Sequence, residues 1–401
     1  MRGNGPGGFG VAAWLLAPAV LLGLAIMPMP SPAQPSPEVP EQETLLPKAE
    51  QKPESNPAER SPESDKVEER PKPATFGRSP APKTIEESTT LLEQCWTPKE
   101  LAGKASEIRP RRGGRMKPPE ADAATQEPAS LPSDGAIRRV KLPEGQKLVA
   151  LTFDLCELGY EIAGYDGRIV DYLRENDVKA TFFAGGKWLL THPERAQQLA
   201  ADPNFEIASH GWRHRNLQAL SGKQLISEIV GAQRAYQKMR VDLGARACLK
   251  DRTDSFDERV PQHMRLFRFP YGTCNPKALK AVADAGQLAI QWDVATGDPA
   301  PQQSARAIAR QVLRNVKPGS IVLAHANGRG WNTSKALPLF IPKLKEQGYE
   351  FVTVSELLAA GEPERVQKCY DQRPGDTERW ARGSTKGQKR RPKRVWNPFQ
   401  Q

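Results

Sequence analysis

Short apolar runs alternate with amphipathic segments between residues 148 and 352, and this alternation constrains the fold more than any other feature of the chain. The first run, Leu148–Phe153, has the length and composition of a strand buried on both faces. The other predicted strands lie at Ala180–Phe183, Phe205–Ala208, near Phe267, and at Leu288–Gln291, Ile321–Ala324 and Tyr349–Val352. Helical spacing separates them, for example at Lys223–Met239. Repeated strand–helix units predict an α/β fold around a parallel sheet, either open or closed into a barrel.

The flanking regions have a composition that does not suit a globular domain. Between residues 34 and 83 there are 11 prolines, with 10 acidic and 8 basic side chains among them. Such a segment buries too little apolar surface to offset the entropy of ordering it. We therefore predict a disordered spacer over residues 34–136, a folded domain over 137–360 and a tail over 361–401. Residues 84–136 are ambiguous, because their few apolar residues could dock on a domain.

The first 33 residues have the pattern of an export signal: one charge at Arg2, a 16-residue apolar run, and small residues before Gln34. We expect a cleaved signal peptide, with an uncleaved anchor in the inner membrane as the alternative. Either one would place the rest of the chain outside the cytoplasm, in the periplasm or secreted. Disulfides can persist there.

The tail explains most of the formal charge of +11, since eight basic and no acidic residues lie between Arg379 and Arg394. A solvated tail is one interpretation. Attraction to an anionic envelope polymer or a membrane surface is the other. Nucleic acid is not an expected partner of an exported protein.

Polar side chains stand at the ends of several predicted strands. His210 and His214 lie four residues apart after the strand Phe205–Ala208, and a helical turn there would let both imidazoles bind one metal ion. The other groups at or just beyond strand ends are Asp154, Arg268, Asp298 and His325. Functional residues collect at the carboxyl ends of parallel strands, so we predict one active site there.

The types of these motifs and their order along the chain resemble those of the polysaccharide deacetylases of the NodB-homology family (carbohydrate esterase family 4). The resemblance rests chiefly on the motifs Ser209-His210-Gly211-Trp212-Arg213-His214 and Arg268-Phe269-Pro270-Tyr271. It covers about residues 137–360. It implies a deformed (β/α) barrel that removes N- or O-acetyl groups from polysaccharides with zinc or another divalent ion.

The resemblance also implies a role for each matched residue. His210 and His214 would bind the metal. The catalytic residues would be the base Asp154, its orienting partner Arg268, the general acid His325, the carboxylate Asp298 that tunes it, and Tyr271, whose backbone N–H helps to hold the oxyanion. In this scheme the base takes a proton from water that the metal activates, and the acid protonates the leaving amine.

Two positions depart from the family pattern. Leu155 stands where the family usually has a second aspartate that binds the metal. Glu157 could supply the missing oxygen, Cys156 could supply a thiolate, or the metal could be held more weakly; Glu157 is our expected third ligand, unless it is only a loop carboxylate. Pro299 replaces an aromatic residue that often follows the motif aspartate, which affects the groove wall and substrate preference.

Two of the five cysteines, Cys156 and Cys274, each lie within three residues of a motif residue. If these loops converge on one site, the two sulfurs come within bonding distance, and we expect a disulfide that braces the site rather than free thiols or metal ligation. Cys95, Cys248 and Cys369 then leave an odd number, so one thiol stays free or pairs between chains.

Aromatic residues and one insertion could shape a substrate groove. Of Trp188, Trp212, Trp292 and Trp331, we expect most in the core. Trp331, beside a glycine-rich segment, is the candidate for stacking on a sugar. The polar insertion 242–265 could be groove wall or an inert loop.

The sequence therefore predicts an exported, zinc-dependent hydrolase that removes acetyl groups from an N-acetylglucosamine polymer such as peptidoglycan, chitin or an exopolysaccharide. The first alternative is a glycan-binding module that kept the fold and lost tight metal binding, as Leu155 could indicate. The second is an envelope scaffold that acts through its spacer and tail.

Overall fold

The computed structural model describes residues 89–120, 128–250 and 255–378. The predicted signal segment 1–33, the spacer as far as residue 88 and the basic run 379–394 lie outside the described residues. Among the helices that are described, none combines the length and the apolar character needed to cross a membrane.

An eight-stranded parallel sheet forms the centre of the domain. Its strands are β3 (Leu148–Leu155), β5 (Ala180–Ala184), β6 (Phe205–Ser209), β7 (Leu266–Phe267), β8 (Leu288–Ala289), β9 (Val294–Ala295), β10 (Ile321–His325) and β11 (Glu350–Val352). Two short strands outside this sheet, β1 (Arg111–Arg112) and β4 (Glu161–Ile162), pair antiparallel with each other. Within the eight-stranded sheet the spatial order is β8-β7-β6-β5-β3-β10-β9, and β11 pairs with the start of β3. Every residue of β3 after Leu148 is buried, as expected for a strand covered on both faces.

A further strand, β2 (Ala136–Lys141), bridges the two ends of the sheet. It contacts Ile290, just beyond β8, and Ser320, just before β10. On its other edge it pairs antiparallel with β12 (Glu362–Val366). The sheet therefore curls round on itself, and the predicted deformed (β/α) barrel is confirmed.

Helices cover the outside of this barrel. They are α3 (Gly167–Glu175), α4 (Gly186–Thr191), α5 (Pro193–Ala201), α6 (Gly222–Gly244), α7 (Ser255–Arg259), α8 (Pro276–Asp284), α9 (Ala305–Asn315), α10 (Thr333–Glu346) and α11 (Val354–Ala359). The largest apolar cluster lies between helices and sheet and includes Phe153, Trp188 and Phe205. A second cluster contains Ala150 and Phe183, which point to the opposite side of their strands.

The folded domain begins well before residue 137. Two short helices, α1 (Leu91–Cys95) and α2 (Pro98–Leu101), lie against the barrel, and Leu92 and Trp96 are buried in its main core. A disulfide between Cys95 and Cys248 fixes this segment to the end of α6. Residues 89–120 are thus folded onto the domain instead of forming a disordered spacer, because a few apolar residues and one disulfide anchor a segment of otherwise polar composition.

The domain also continues past residue 360. β12 adds to β2, and a second disulfide joins Cys369 to Cys274. The start of the predicted tail is therefore folded as far as residue 378. The described part of the insertion 242–265 is equally part of the domain, since Phe256 and Val260 are buried in the main core.

Candidate active site

The carboxyl ends of β10, β3, β6 and β7 bring the predicted site residues together, with β5 lying between β3 and β6. Asp154 lies on β3 beside His325 on β10, since the two residues are paired in the strand register. His210 follows β6 and Arg268 follows β7. All four side chains are buried. The structure therefore brings the predicted base, acid, one metal-binding histidine and orienting arginine into one site.

Asp154 is held by two buried cationic or polar partners. Its Oδ1 accepts a hydrogen bond from Arg268 Nη1 at 2.8 Å, and its Oδ2 lies 3.4 Å from His210 Nε2. Arg268 is fully buried, stacks on Phe183 and also donates to Thr152 Oγ1. A buried guanidinium fixed in this way can hold one carboxylate oxygen and leave the other facing the site. This geometry suits the predicted roles of base and orienting residue.

His325 is bonded to Asp298 through both its ring and its backbone. His325 Nδ1 lies 2.9 Å from Asp298 Oδ1, and the His325 N–H donates to Asp298 Oδ2 at 2.7 Å. Thr333 Oγ1 and Thr296 Oγ1 also donate to this carboxylate. Because a carboxylate only accepts, Nδ1 carries the proton and Nε2 faces the site. Burial alone would lower the pKa of His325, but the Asp298 carboxylate outweighs it and raises that pKa well above its usual value.

His210 and His214 approach each other without a helix. Their ring centroids are 5.0 Å apart, yet the intervening segment is irregular. Gly211 and His214 have φ values of 73° and 54°, so left-handed residues turn the chain. The histidine pair is thus formed as predicted, whereas the predicted helical turn is wrong.

Cys156 completes this pair. Its Sγ lies 3.4 Å from His210 Nε2, and Cys156, His210 and His214 offer donor atoms that all lie within 4.8 Å of one another. Burial would raise the pKa of the Cys156 thiol, but the imidazoles of His214 and His210 outweigh it and hold that pKa well below its usual value. Among the described residues, Cys156 is the free cysteine.

Glu157, the predicted third ligand, points to a different part of the protein. Its carboxylate lies 3.0 Å from Lys187 Nζ and accepts hydrogen bonds from the Ala163 N–H and from Thr191 Oγ1. Burial raises the pKa of Glu157 despite these donors. These contacts hold the Glu157 carboxylate away from the two histidines. Cys156 faces the histidines instead.

The predicted disulfide between Cys156 and Cys274 is also wrong. Cys274 is bonded to Cys369, with an S–S distance of 2.00 Å and a Cα–Cα distance of 5.2 Å. Cys369 lies in the predicted tail, which is folded as far as residue 378. The expectation that one of Cys95, Cys248 and Cys369 stays free or pairs between chains is wrong as well, because all three are in disulfides and the free cysteine is Cys156.

Tyr271 lies at the edge of the site in a left-handed conformation, with φ 63° and ψ 8°. Its ring packs against His214, with centroids 4.5 Å apart. Burial raises the pKa of the Tyr271 phenol to about 12, so the hydroxyl is neutral at ordinary pH. A strained non-glycine residue beside a cluster of chemical groups marks a position where the backbone direction matters.

Two aromatic side chains are exposed around the same site. Tyr160 is 63% exposed and Trp331 is 50% exposed. Arg329 and Glu161, next to them in the sequence, form a buried ion pair that joins the two loops. The other three candidate tryptophans are buried, as expected: Trp188, Trp212 and Trp292.

Sequence reasoning missed several residues that support the site. Asn327 Nδ2 donates to the Cys156 carbonyl at 2.8 Å, and Lys187 holds the Glu157 carboxylate. Thr296 and Thr333 fix Asp298. Neither residue type nor spacing distinguishes these positions in a single sequence, because their partners come from other loops.

Comparison with known proteins finds relatives that match the central part of this chain. Residues 141–290 match the family model described as polysaccharide deacetylase. The chain is 30% identical over 240 residues to the peptidoglycan-N-acetylglucosamine deacetylase of Listeria monocytogenes, covering 60% of this chain and 44% of that protein. It is 29% identical over 221 residues to the peptidoglycan-N-acetylglucosamine deacetylase of Bacillus cereus, covering 54% of this chain and 91% of that one.

Among solved structures, a pseudoenzyme of carbohydrate esterase family 4 from Bacillus anthracis is 28% identical, with a TM-score of 0.41, and the match covers 56% of this chain and 69% of that one. The chain spans less than half the length of the Listeria relative. The matched segment contains Asp154, His210, His214 and Arg268. Over residues 141–290, the chain is therefore similar to the polysaccharide deacetylase family.

Proposed function

We propose that this chain is a metal-dependent deacetylase that removes N-acetyl groups from a polymer containing N-acetylglucosamine. The observation that carries the proposal is the arrangement of two buried charge pairs around one cluster of metal donors. Asp154 with Arg268 lies on one side, and His325 with Asp298 lies on the other. A module that only binds glycan has no need for a held base and a held acid.

The residues divide the hydrolysis between them. Asp154 takes a proton from the attacking water, while Arg268 keeps the carboxylate oriented. His325 donates a proton to the leaving amine, and Asp298 favours the protonated imidazole that this step needs. The backbone N–H of Tyr271 helps to hold the oxyanion of the tetrahedral intermediate.

The donor set fits a divalent metal. Cys156, His210 and His214 are buried and converge, and the Nδ1 of His210 is occupied by the Arg268 carbonyl at 3.0 Å. Such an outer partner orients a metal-binding histidine. When bound, the metal supplies Lewis-acid activation of the water and of the acetamide carbonyl.

Peptidoglycan is the proposed substrate. The relatives from Listeria monocytogenes and Bacillus cereus are named peptidoglycan-N-acetylglucosamine deacetylases. The exposed side chains of Tyr160 and Trp331 beside the site offer apolar faces for sugar rings. An exported protein would meet this polymer in the envelope, and the two disulfides support an oxidising compartment. The basic run 379–394 would add attraction to anionic envelope polymers or membrane surfaces.

The test is acetate release from peptidoglycan and from acetylated chito-oligosaccharides, with Zn²⁺ present. We expect Asp154→Asn to lower kcat by about 100-fold or more, as the loss of a general base does. Asp284→Asn is the matched control, because Asp284 is an exposed partner of Lys280 on α8. Equal rates for wild type and Asp154→Asn would overturn the assignment of the base.

A glycan-binding module is the second candidate, because Leu155 replaces the aspartate that the family uses as a ligand. Its signature would be binding of peptidoglycan without acetate release by folded, zinc-loaded protein. Acetate release that depends on Asp154 would exclude it.

A further inference from the structure

We infer that Cys156 binds the metal as a thiolate, so that the site is a Cys/His/His centre selective for Zn²⁺ and similar ions. The inference deepens the proposed function and rests on its metal dependence. It concerns the coordination itself, which can be measured without turnover.

The donor geometry supports this assignment. A tetrahedral zinc site with Zn–S near 2.3 Å and Zn–N near 2.0 Å separates its donor atoms by roughly 3.5 Å. Cys156 Sγ and His210 Nε2 are 3.4 Å apart, and the donor atom of His214 lies within 4.8 Å of both. Three protein donors leave a fourth position for water or substrate, which is the pattern of catalytic zinc sites.

The surroundings hold two of the donors in place. His210 Nδ1 faces the Arg268 carbonyl, which can only accept, so Nδ1 carries the proton and Nε2 presents its lone pair to Cys156. Asn327 Nδ2 binds the Cys156 carbonyl at 2.8 Å and fixes the backbone that carries the thiol. These are the outer contacts that orient metal ligands.

Ordinary packing does not explain the surroundings of Cys156. A buried free cysteine usually behaves as a small apolar residue. The Cys156 thiol instead lies close to two sets of possible metal-ligand atoms. One set belongs to His210 and His214, and the other belongs to Asp154 and His325. The other four cysteines are paired in disulfides, and Glu157 is bound by Lys187.

A thiolate changes which metals the site prefers. Thiolate and imidazole donors suit Zn²⁺ and Co²⁺, whereas Mg²⁺, Ca²⁺ and Mn²⁺ prefer carboxylate and carbonyl oxygens. We therefore expect the full-length protein to bind one Zn²⁺ and to discriminate strongly against Mg²⁺.

Two measurements on the full-length wild-type protein test the inference directly. X-ray absorption of the zinc-loaded protein should show one sulfur neighbour at about 2.3 Å. The Co²⁺-loaded protein should show a near-ultraviolet thiolate-to-cobalt charge-transfer band. A zinc shell made only of nitrogen and oxygen, or a cobalt spectrum without this band, would overturn it.

Matched variants separate the thiolate from the rest of the site. Cys156→Ser should lose the band and bind Zn²⁺ at least about 100-fold more weakly, since even outer-shell changes cost 10–100-fold. Cys156→Asp should restore metal binding through oxygen and still lack the band. Thermal unfolding of each variant shows whether it folds, and an undiminished zinc affinity in folded Cys156→Ser would contradict the inference.

The two proposals can fail separately. If the wild-type protein releases acetate but its metal has no sulfur ligand, the deacetylase activity is supported and the thiolate ligand is ruled out. If zinc is bound by sulfur but the protein releases no acetate from either substrate, the Cys/His/His centre is supported and the proposed activity is ruled out.

Discussion

At the scale of single residues, the site depends on buried charges that are each held by a specific partner. Arg268 and Asp298 are almost fully buried, and each one is bonded to a residue for which we propose a role in proton transfer. Because water is excluded, losing one partner leaves the other charge without compensation. Conservative changes at these positions should therefore affect catalysis more than binding.

Asp298→Asn tests this for the general acid. Asn keeps the size of the side chain and loses the negative charge that favours protonated His325. We expect kcat to fall by about 100-fold or more, the range for a lost acid catalyst, with little change in KM. Steady-state acetate release measures both constants. Asp242→Asn, an exposed change on α6, should leave both unchanged; an unaltered kcat in Asp298→Asn would show that His325 needs no carboxylate partner.

His192 gives a prediction for stability against pH. It stacks on Trp188 with ring centroids 4.7 Å apart, and burial lowers its pKa from 6.5 to about 4. The unfolded chain therefore binds a proton more tightly than the folded protein between these values, and stability falls as pH decreases through this window. At 1.36 kcal/mol per pKa unit, the loss is about 3 kcal/mol.

The comparison with His192→Phe isolates that contribution. Phe keeps the ring stacking and cannot titrate. Urea unfolding at pH 7 and pH 4 should show a fall in unfolding free energy that is smaller in the variant by about 3 kcal/mol. Identical falls in both proteins would mean that His192 is already protonated in the folded state at low pH.

The sequence predicts individual site residues well where a motif contains them. It predicts them poorly where the direction of a side chain decides whether the residue faces the site. Asp154, His210, His214, Arg268 and His325 meet in the structure as the resemblance implied. The choice between Cys156 and Glu157 depends on which side the chain faces after β3. That direction is set by contacts from α4 that are distant in sequence.

At the scale of elements, the strands and the longer helices follow from apolar pattern, while the loops between them do not. β3 and β10 begin at the predicted residues and end two residues and one residue beyond the predicted ends, because uninterrupted apolar runs allow few alternatives. The turn from His210 to His214 uses left-handed residues, which no apolar period reveals. Its shape depends on packing against Tyr271 and on the Arg268 carbonyl.

Lys187 on α4 is the element-scale support of the loop that carries Cys156. Its side chain is 1% exposed, and its Nζ lies 3.0 Å from Glu157 Oε1 and donates to the carbonyls of Leu158 and Glu161. Lys187→Met would leave the Glu157 carboxylate buried without its cation. We expect the unfolding free energy, measured in urea, to fall by about 3–5 kcal/mol.

Two further variants show whether the buried pair is the cause. Lys280→Met removes an exposed lysine with the same substitution and should change stability by less than about 0.5 kcal/mol. Adding Glu157→Gln to Lys187→Met should recover part of the loss, because it removes the uncompensated charge. If Lys187→Met were no more destabilising than Lys280→Met, the ion pair would contribute little to the loop.

At the scale of the whole molecule, two disulfides extend the domain beyond the limits that composition predicts. Cys95–Cys248 fixes the segment before the barrel, and Cys274–Cys369 fixes the segment after it. Both segments have the polar composition of the regions around them, so composition alone assigned them to a spacer and a tail. Cysteine positions in one sequence do not reveal which pairs form, because several pairings are possible.

The two disulfides close loops of 153 and 95 residues, so their entropic contributions to stability should be similar. Removing either one, as Cys95→Ala/Cys248→Ala or Cys274→Ala/Cys369→Ala, should lower the unfolding free energy by about 2–5 kcal/mol. Their effects on catalysis should differ. Cys274 lies three residues after Tyr271, whereas Cys248 lies at the far end of α6.

Each pair variant therefore serves as the control for the other. At a temperature where both remain folded, we expect Cys274→Ala/Cys369→Ala to lower kcat for acetate release and Cys95→Ala/Cys248→Ala to leave it near the wild-type value. The reason is that the Cys274–Cys369 disulfide restrains the backbone around Tyr271, whose left-handed conformation is costly to maintain. Equal kcat values in both variants would show that packing against His214 and Trp292 is enough to hold this loop, and that the disulfide contributes only to stability.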